Sequence, residues 1–153
     1  MSLDVGSAAP DFTMETPDGQ VSLSDFAGRK LVLYFYPKDD TSGCTTEAIQ
    51  FSGLLDRFRA AGAAVIGVSK DSIAKHRKFA DKHGLTVTLA SDPEGAVIEA
   101  YGAWVEKTLY GRKYMGIDRS TFLIGPDGRI AAIWRKVKVA GHADAVLKAA
   151  EAL

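Results

Sequence analysis

The 153-residue chain reads as an α/β fold, a mixed central sheet flanked by helices, in a single domain over residues 1–153. Two unbroken apolar runs with a helical stretch between them carry that expectation. Leu31 to Tyr36 holds six apolar or aromatic residues without alternation, the pattern of a strand covered on both faces. Val65-Ile66-Gly67-Val68 repeats it. Between them Ile49, Leu54, Leu55 and Phe58 fall near the helical period, from about Thr45 to a stop at Gly62. Strand, helix and strand at this spacing form a βαβ unit with a right-handed crossover.

Ahead of that unit, Ala9-Pro10-Asp11-Phe12-Thr13 and Val21-Ser22-Leu23 flank a Pro-Asp-Gly turn at 17–19, which predicts an N-terminal hairpin. Behind it, a helix is expected from about Ser72 to His83, closed by Gly84. Asp92-Pro93-Glu94 offers an N-cap, a proline at the first helical position and an acidic first turn, for a short helix to about Tyr101. Residues 102–118 read as irregular and aromatic, with Trp104, Tyr110 and Tyr114 as pocket, interface or core cover. Thr121 to Ile124 and Ile130 to Trp134 flank Pro126-Asp127-Gly128 as a second hairpin. A helix from about His142 to Ala152 closes the chain. This order is that of a thioredoxin-like fold, with an N-terminal hairpin and an insertion between residues 85 and 118.

Composition narrows the function. Nineteen basic residues balance nineteen acidic ones, which argues against a dedicated nucleic-acid binder. The basic excess within 104–140 reads as a solvated face. One cysteine excludes an internal disulfide framework, a Cys-x-x-Cys pair and a multi-thiolate zinc site. His76 and His83 stand about 10.5 Å apart along a helix, too far for one zinc ion, so no metal is expected. No glycine-rich phosphate loop appears, so no nucleotide or flavin cofactor is expected. The start, Met1-Ser2-Leu3-Asp4-Val5, lacks the basic and apolar regions of a leader. No run nears the ~20 apolar residues of a bilayer span. A cytoplasmic monomer or homodimer without membrane contact is expected.

The single cysteine falls just after the first core strand, in the first turn of the following helix. There the backbone N–H groups are unpaired and the helix dipole is positive, which favours a thiolate, the form that attacks. Most lone cysteines are buried fillers, yet Ser42, Gly43, Thr45 and Thr46 make polar neighbours for Cys44. The octet Pro37-Lys38-Asp39-Asp40-Thr41-Ser42-Gly43-Cys44, or Pro-x-x-x-Thr-x-x-Cys, resembles the active-site motif of the peroxiredoxins. With Tyr36 before it and Thr45-Thr46-Glu47 after it, the string resembles their bacterioferritin comigratory protein, or peroxiredoxin Q, branch. Pro10-Asp11-Phe12, Arg119-Ser120-Thr121-Phe122-Leu123-Ile124 and Gly141-His142 extend the likeness along the whole chain.

The resemblance implies reduction of hydrogen peroxide and organic hydroperoxides by a peroxidatic Cys44. It implies that the Thr41 hydroxyl holds the thiolate and the peroxide oxygens, that Pro37 shields the site from water, and that Arg119 stabilises thiolate and transition state. Glu47 matches a glutamate that orients the arginine. The magnitudes agree: making a thiol of pKa near 8.5 mostly thiolate takes about 2.7 kcal/mol. A helix N-terminus supplies roughly 0.3–1 kcal/mol, about 2 when partly buried. A guanidinium within ~4 Å adds up to about 4 kcal/mol before desolvation. Many members of this branch carry a resolving cysteine five residues on, where this chain has Ile49, and Gly125 stands where an aspartate is common. A one-cysteine type follows, reduced by an external thiol such as thioredoxin, a glutaredoxin system or a small thiol. The alternatives are a thiol–disulfide oxidoreductase, whose first cysteine position Thr41 occupies, and a non-catalytic thioredoxin-like binding module.

Overall fold

The computed structural model describes residues 3–153; Met1 and Ser2, the head of the segment read for a leader, lie outside the described residues. Strands β1 (Thr13–Thr16) and β2 (Gly19–Ser22) form the expected hairpin, followed by a 3₁₀ turn over Leu23–Phe26. The βαβ unit then runs through β3 (Lys30–Phe35), α1 (Ser42–Gly53), α2 (Leu55–Ala60) and β4 (Ala63–Ser69). Next come α3 (Ile73–His83), β5 (Thr88–Ser91), α4 (Ala96–Ala100), β6 (Trp104–Leu109) and β7 (Arg112–Ile117). The chain ends with β8 (Ser120–Ile124), β9 (Ile130–Trp134) and α5 (His142–Ala152).

Seven strands make one mixed sheet in the order β2-β1-β5-β4-β3-β8-β9. β3 lies inside it, parallel to β4 and antiparallel to β8. Its unbroken apolar run is split by the period of two. Val32, Tyr34 and Tyr36 face a layer with Phe51, Phe58, Val146 and Leu147 from α1, α2 and α5. Leu31, Leu33 and Phe35 face the other layer, with Phe12, Ile98, Tyr101 and Phe122. Gly67 on β4 exists for this packing: a Cβ there would meet the Tyr34 ring at 2.5 Å.

Four expectations need correction. The helix of the βαβ unit begins at Ser42, three residues early, and breaks at Leu54 into α1 and α2. Its buried stripe is Cys44, Ala48, Phe51, Leu55 and Phe58, so Ile49 points outward, 47% exposed. α4 is capped by Gly95, and not by Asp92 with Pro93 at the first position. Asp92 serves from outside, its Oδ2 accepting from the Ile98 N–H at 2.8 Å. Residues 102–118 are an antiparallel hairpin, β6 with β7, turning at Tyr110-Gly111 with φ of 52° and 76°. Two positive φ values in a two-residue loop match the right-handed twist of the strands. Finally, β5 is a strand the apolar pattern did not reveal; it joins the N-terminal hairpin to β4.

Candidate active site

β3 delivers the chain into the loop 37–41, and Thr41 adopts an extended N-cap conformation, φ −90° and ψ 155°. Ser42, Gly43 and Cys44 are thus the first three residues of α1, where N–H groups have no partner a turn earlier. Cys44 is 1% exposed. Arg119, in the link between β7 and β8, donates from Nη2 to Cys44 Sγ at 3.2 Å and from Nη1 to Glu47 Oε1 at 2.7 Å. Its own carbonyl accepts from the Val137 N–H at 2.9 Å. The guanidinium bridges two side chains one helical turn apart on α1, as a planar fork can and a point charge cannot.

Gly43 permits this approach, since a Cβ there would lie 3.1 Å from Arg119 Nη2. Glu47 is almost wholly buried, and burial pushes its carboxyl up to about 7 against the Arg119 charge and hydrogen bond that pull it down. Its Oε2 and the nearby Tyr34 hydroxyl have no hydrogen-bond partner among the described residues. Burial, then the Glu47 and Cys44 charges, push the Tyr34 phenol well above its usual range. His142, at the start of α5, faces Thr121 Oγ1 through Nε2 at 2.7 Å. Burial, then the Arg119 charge, push that imidazole down to about 4, so it is neutral at neutral pH.

The structure therefore brings together Cys44, Glu47 and Arg119. Pro37 and Thr41 sit in the loop before α1 and are exposed. The Thr41 hydroxyl donates to the Lys38 carbonyl at 2.8 Å and makes no hydrogen bond to the sulfur. Sequence reasoning missed a buried polar cluster that fixes this loop. The Tyr36 hydroxyl donates to Asp39 Oδ1 at 2.5 Å, His76 Nδ1 lies 2.6 Å from Asp39 Oδ2, and the Asp39 N–H donates to Asp71 Oδ2 at 2.8 Å. The available signal was His76 standing three residues before Phe79 on α3, in register with its apolar stripe. Among the described residues no group of three or more His, Cys, Asp or Glu is arranged to hold a metal ion.

The AhpC/TSA family model matches residues 5–133. The "Putative peroxiredoxin bcp" of Coxiella burnetii is 50% identical over 143 residues, covering 93% of this chain and 95% of that protein. The "Peroxiredoxin Bcp" of Xanthomonas campestris is 48% identical over 151 residues, 98% of this chain and 94% of that protein. A solved structure of the Xanthomonas campestris bacterioferritin comigratory protein, described for its alkyl peroxide reduction activity, superposes with a TM-score of 0.89. It is 47% identical and covers 98% of this chain and 96% of that one.

Proposed function

The chain belongs to the AhpC/TSA family, in the branch of the Bcp and peroxiredoxin Q proteins, and we propose that Cys44 carries its peroxidase chemistry. The protein is a thiol-dependent peroxidase on a thioredoxin-like fold. Cys44 Sγ attacks the terminal oxygen of the hydroperoxide as the O–O bond breaks. A proton goes to the departing oxygen, which leaves as alcohol, or as water from hydrogen peroxide. The sulfur gives up two electrons and becomes a sulfenic acid. One external thiol then displaces that oxygen as water to form a mixed disulfide, and a second thiol releases Cys44. Both electrons come from outside because the 153 residues hold one cysteine.

One observation carries this reading: the Arg119 fork reaches Cys44 Sγ at 3.2 Å while Glu47 holds its other arm. Positive charge fixed beforehand at the sulfur favours the thiolate and the charge that develops in the transition state. Thr41 turns its hydroxyl from the Lys38 carbonyl to the peroxide, and Pro37, lacking an N–H, walls the approach without competing for it. Substrates are hydrogen peroxide and alkyl hydroperoxides, the latter supported by the activity described for the Xanthomonas campestris relative. The reductant is a thioredoxin, a glutaredoxin system or a small thiol, which places the work in the reducing cytoplasm.

Peroxide consumption with a thiol reductant tests the assignment. Cys44→Ser is expected to abolish turnover while leaving the fold intact, and Arg119→Met to slow the peroxide step about a hundredfold, on the scale of losing a preorganised donor. Retained turnover in the serine variant sinks the role of Cys44. An unchanged peroxide rate in the methionine variant sinks that of Arg119.

A further inference from the structure

The sulfur of a cysteine that is 1% exposed is within reach of a small peroxide but closed to the in-line approach of a bulkier thiol. Recycling of Cys44 by an outside reductant therefore requires the start of α1 to open. The hydrogen bonds of residues 40–46 show what resists that opening. Thr41 donates to Lys38, Thr45 to the Thr41 carbonyl and Thr46 to the Ser42 carbonyl, all within the segment or next to it. Among the described residues, two side chains of this segment hydrogen-bond to distant elements. Arg119 reaches Cys44 from one side. Asp40 reaches α3 from the other, its Oδ2 accepting from Lys82 Nζ at 2.8 Å and its Oδ1 lying 2.8 Å from His83 Nε2.

The neighbouring Asp39 is held in the buried cluster with Tyr36, His76 and Asp71 and stays fixed, so the movable segment begins at Asp40. Asp40 stands at φ +62°, a left-handed conformation that aspartate tolerates better than most residues. Oxidation of Cys44 adds an oxygen to the sulfur that Arg119 Nη2 holds at 3.2 Å and so disturbs the Arg119 tether. The Asp40 tether does not change. Of the two hydrogen-bonded tethers, it is the one left intact.

We propose that Asp40 is a positioning residue whose pairing with Lys82 and His83 on α3 sets how often the Cys44 segment opens to an external thiol. The proposal rests on the peroxidase reading and adds to it a control on the reductive half of the cycle. Exposed ion pairs shift such equilibria by small factors, so the expected effect is modest and specific.

The experiment separates the two half-reactions. Wild type, Asp40→Asn and Lys82→Met are oxidised with one equivalent of hydrogen peroxide and then reduced with dithiothreitol, each step followed by stopped-flow fluorescence. Hydrogen exchange of residues 41–46 is measured on the reduced proteins. Asparagine keeps the left-handed preference and removes the charge. Both variants are expected to accelerate reduction about threefold and to raise exchange by a similar factor. Their peroxide rates should stay within about twofold of wild type. A general loosening of the site would instead slow the peroxide step, and that result overturns the proposal. So does an unchanged reduction rate, whether or not exchange rises. If wild type forms no sulfenic acid, the peroxidase reading fails, and exchange still decides the latch: unchanged exchange in Asp40→Asn overturns it.

Discussion

A methyl group at position 43 would lie 3.1 Å from Arg119 Nη2, the atom that donates to Cys44 Sγ. That guanidinium is held on its other side by Glu47 and yields only by leaving the sulfur. Gly43→Ala is therefore expected to slow the peroxide step about tenfold, which corresponds to about 1.4 kcal/mol in the barrier. Helix propensity runs the opposite way and favours alanine by up to about 1 kcal/mol. A variant that melts no lower yet reacts slowly supports the close-approach argument; wild-type kinetics would sink it. Cys44, Glu47 and Arg119 were legible in the sequence because the motif and the late arginine mark them. Gly43 was not, since its role depends on a side chain 76 residues away in the chain. His76 was half legible, through its register with Phe79 on the apolar stripe of α3, but Asp39 was not, because nothing in local spacing says that an aspartate 37 residues earlier will be buried against it.

The β6–β7 hairpin turns through Tyr110 at φ +52° with the ring 95% exposed. The tyrosine meets a backbone region suited to asparagine or glycine and gains no burial in return. Tyr110→Asn should stabilise the protein by about 1 kcal/mol, a rise of about 2–4 °C in Tm for a chain of this size. Thermal unfolding checks it, and a lowered Tm would mean that the ring packs against something. The same hairpin shows where reading elements from sequence stops. Its strands are exposed over most of their length, so they carry no alternation of apolar and polar residues. β3 and β4 were readable for the opposite reason, being covered on both faces. The break at Leu54 escaped notice because the buried stripe from Cys44 to Phe58 keeps its helical spacing across it. β5 is only four residues long and fell within a stretch read as insertion.

Across the whole molecule, two buried groups near the site pull the pH dependence of stability in opposite directions. Glu47 titrates at about 7 when folded and 4.5 otherwise, so the folded state binds the extra proton and stability falls as pH rises through that window. His142 titrates at about 4 when folded and 6.5 otherwise, so the unfolded state binds the extra proton and stability falls as pH drops through 6.5 to 4. Between these limits the two effects oppose each other. Relative to wild type, Glu47→Gln should lose stability on acidification from pH 6.5 to 4.5. His142→Gln should lose it as pH rises over the same interval. Urea denaturation of the three proteins at several pH values measures this, and parallel curves would contradict it. Distance from such coupled groups has its own consequence at the β6–β7 hairpin. Ile117 is buried and the Lys70 ammonium lies 4.5 Å over the Trp104 ring, both at the base, while the tip stands in solvent. The tip is thus a splice point. A foreign peptide inserted between Tyr110 and Gly111 lengthens a loop whose closure cost grows only slowly with length. Peroxide turnover would survive the graft, and the enzyme could carry a passenger domain on a lever whose foot ends two residues before Arg119.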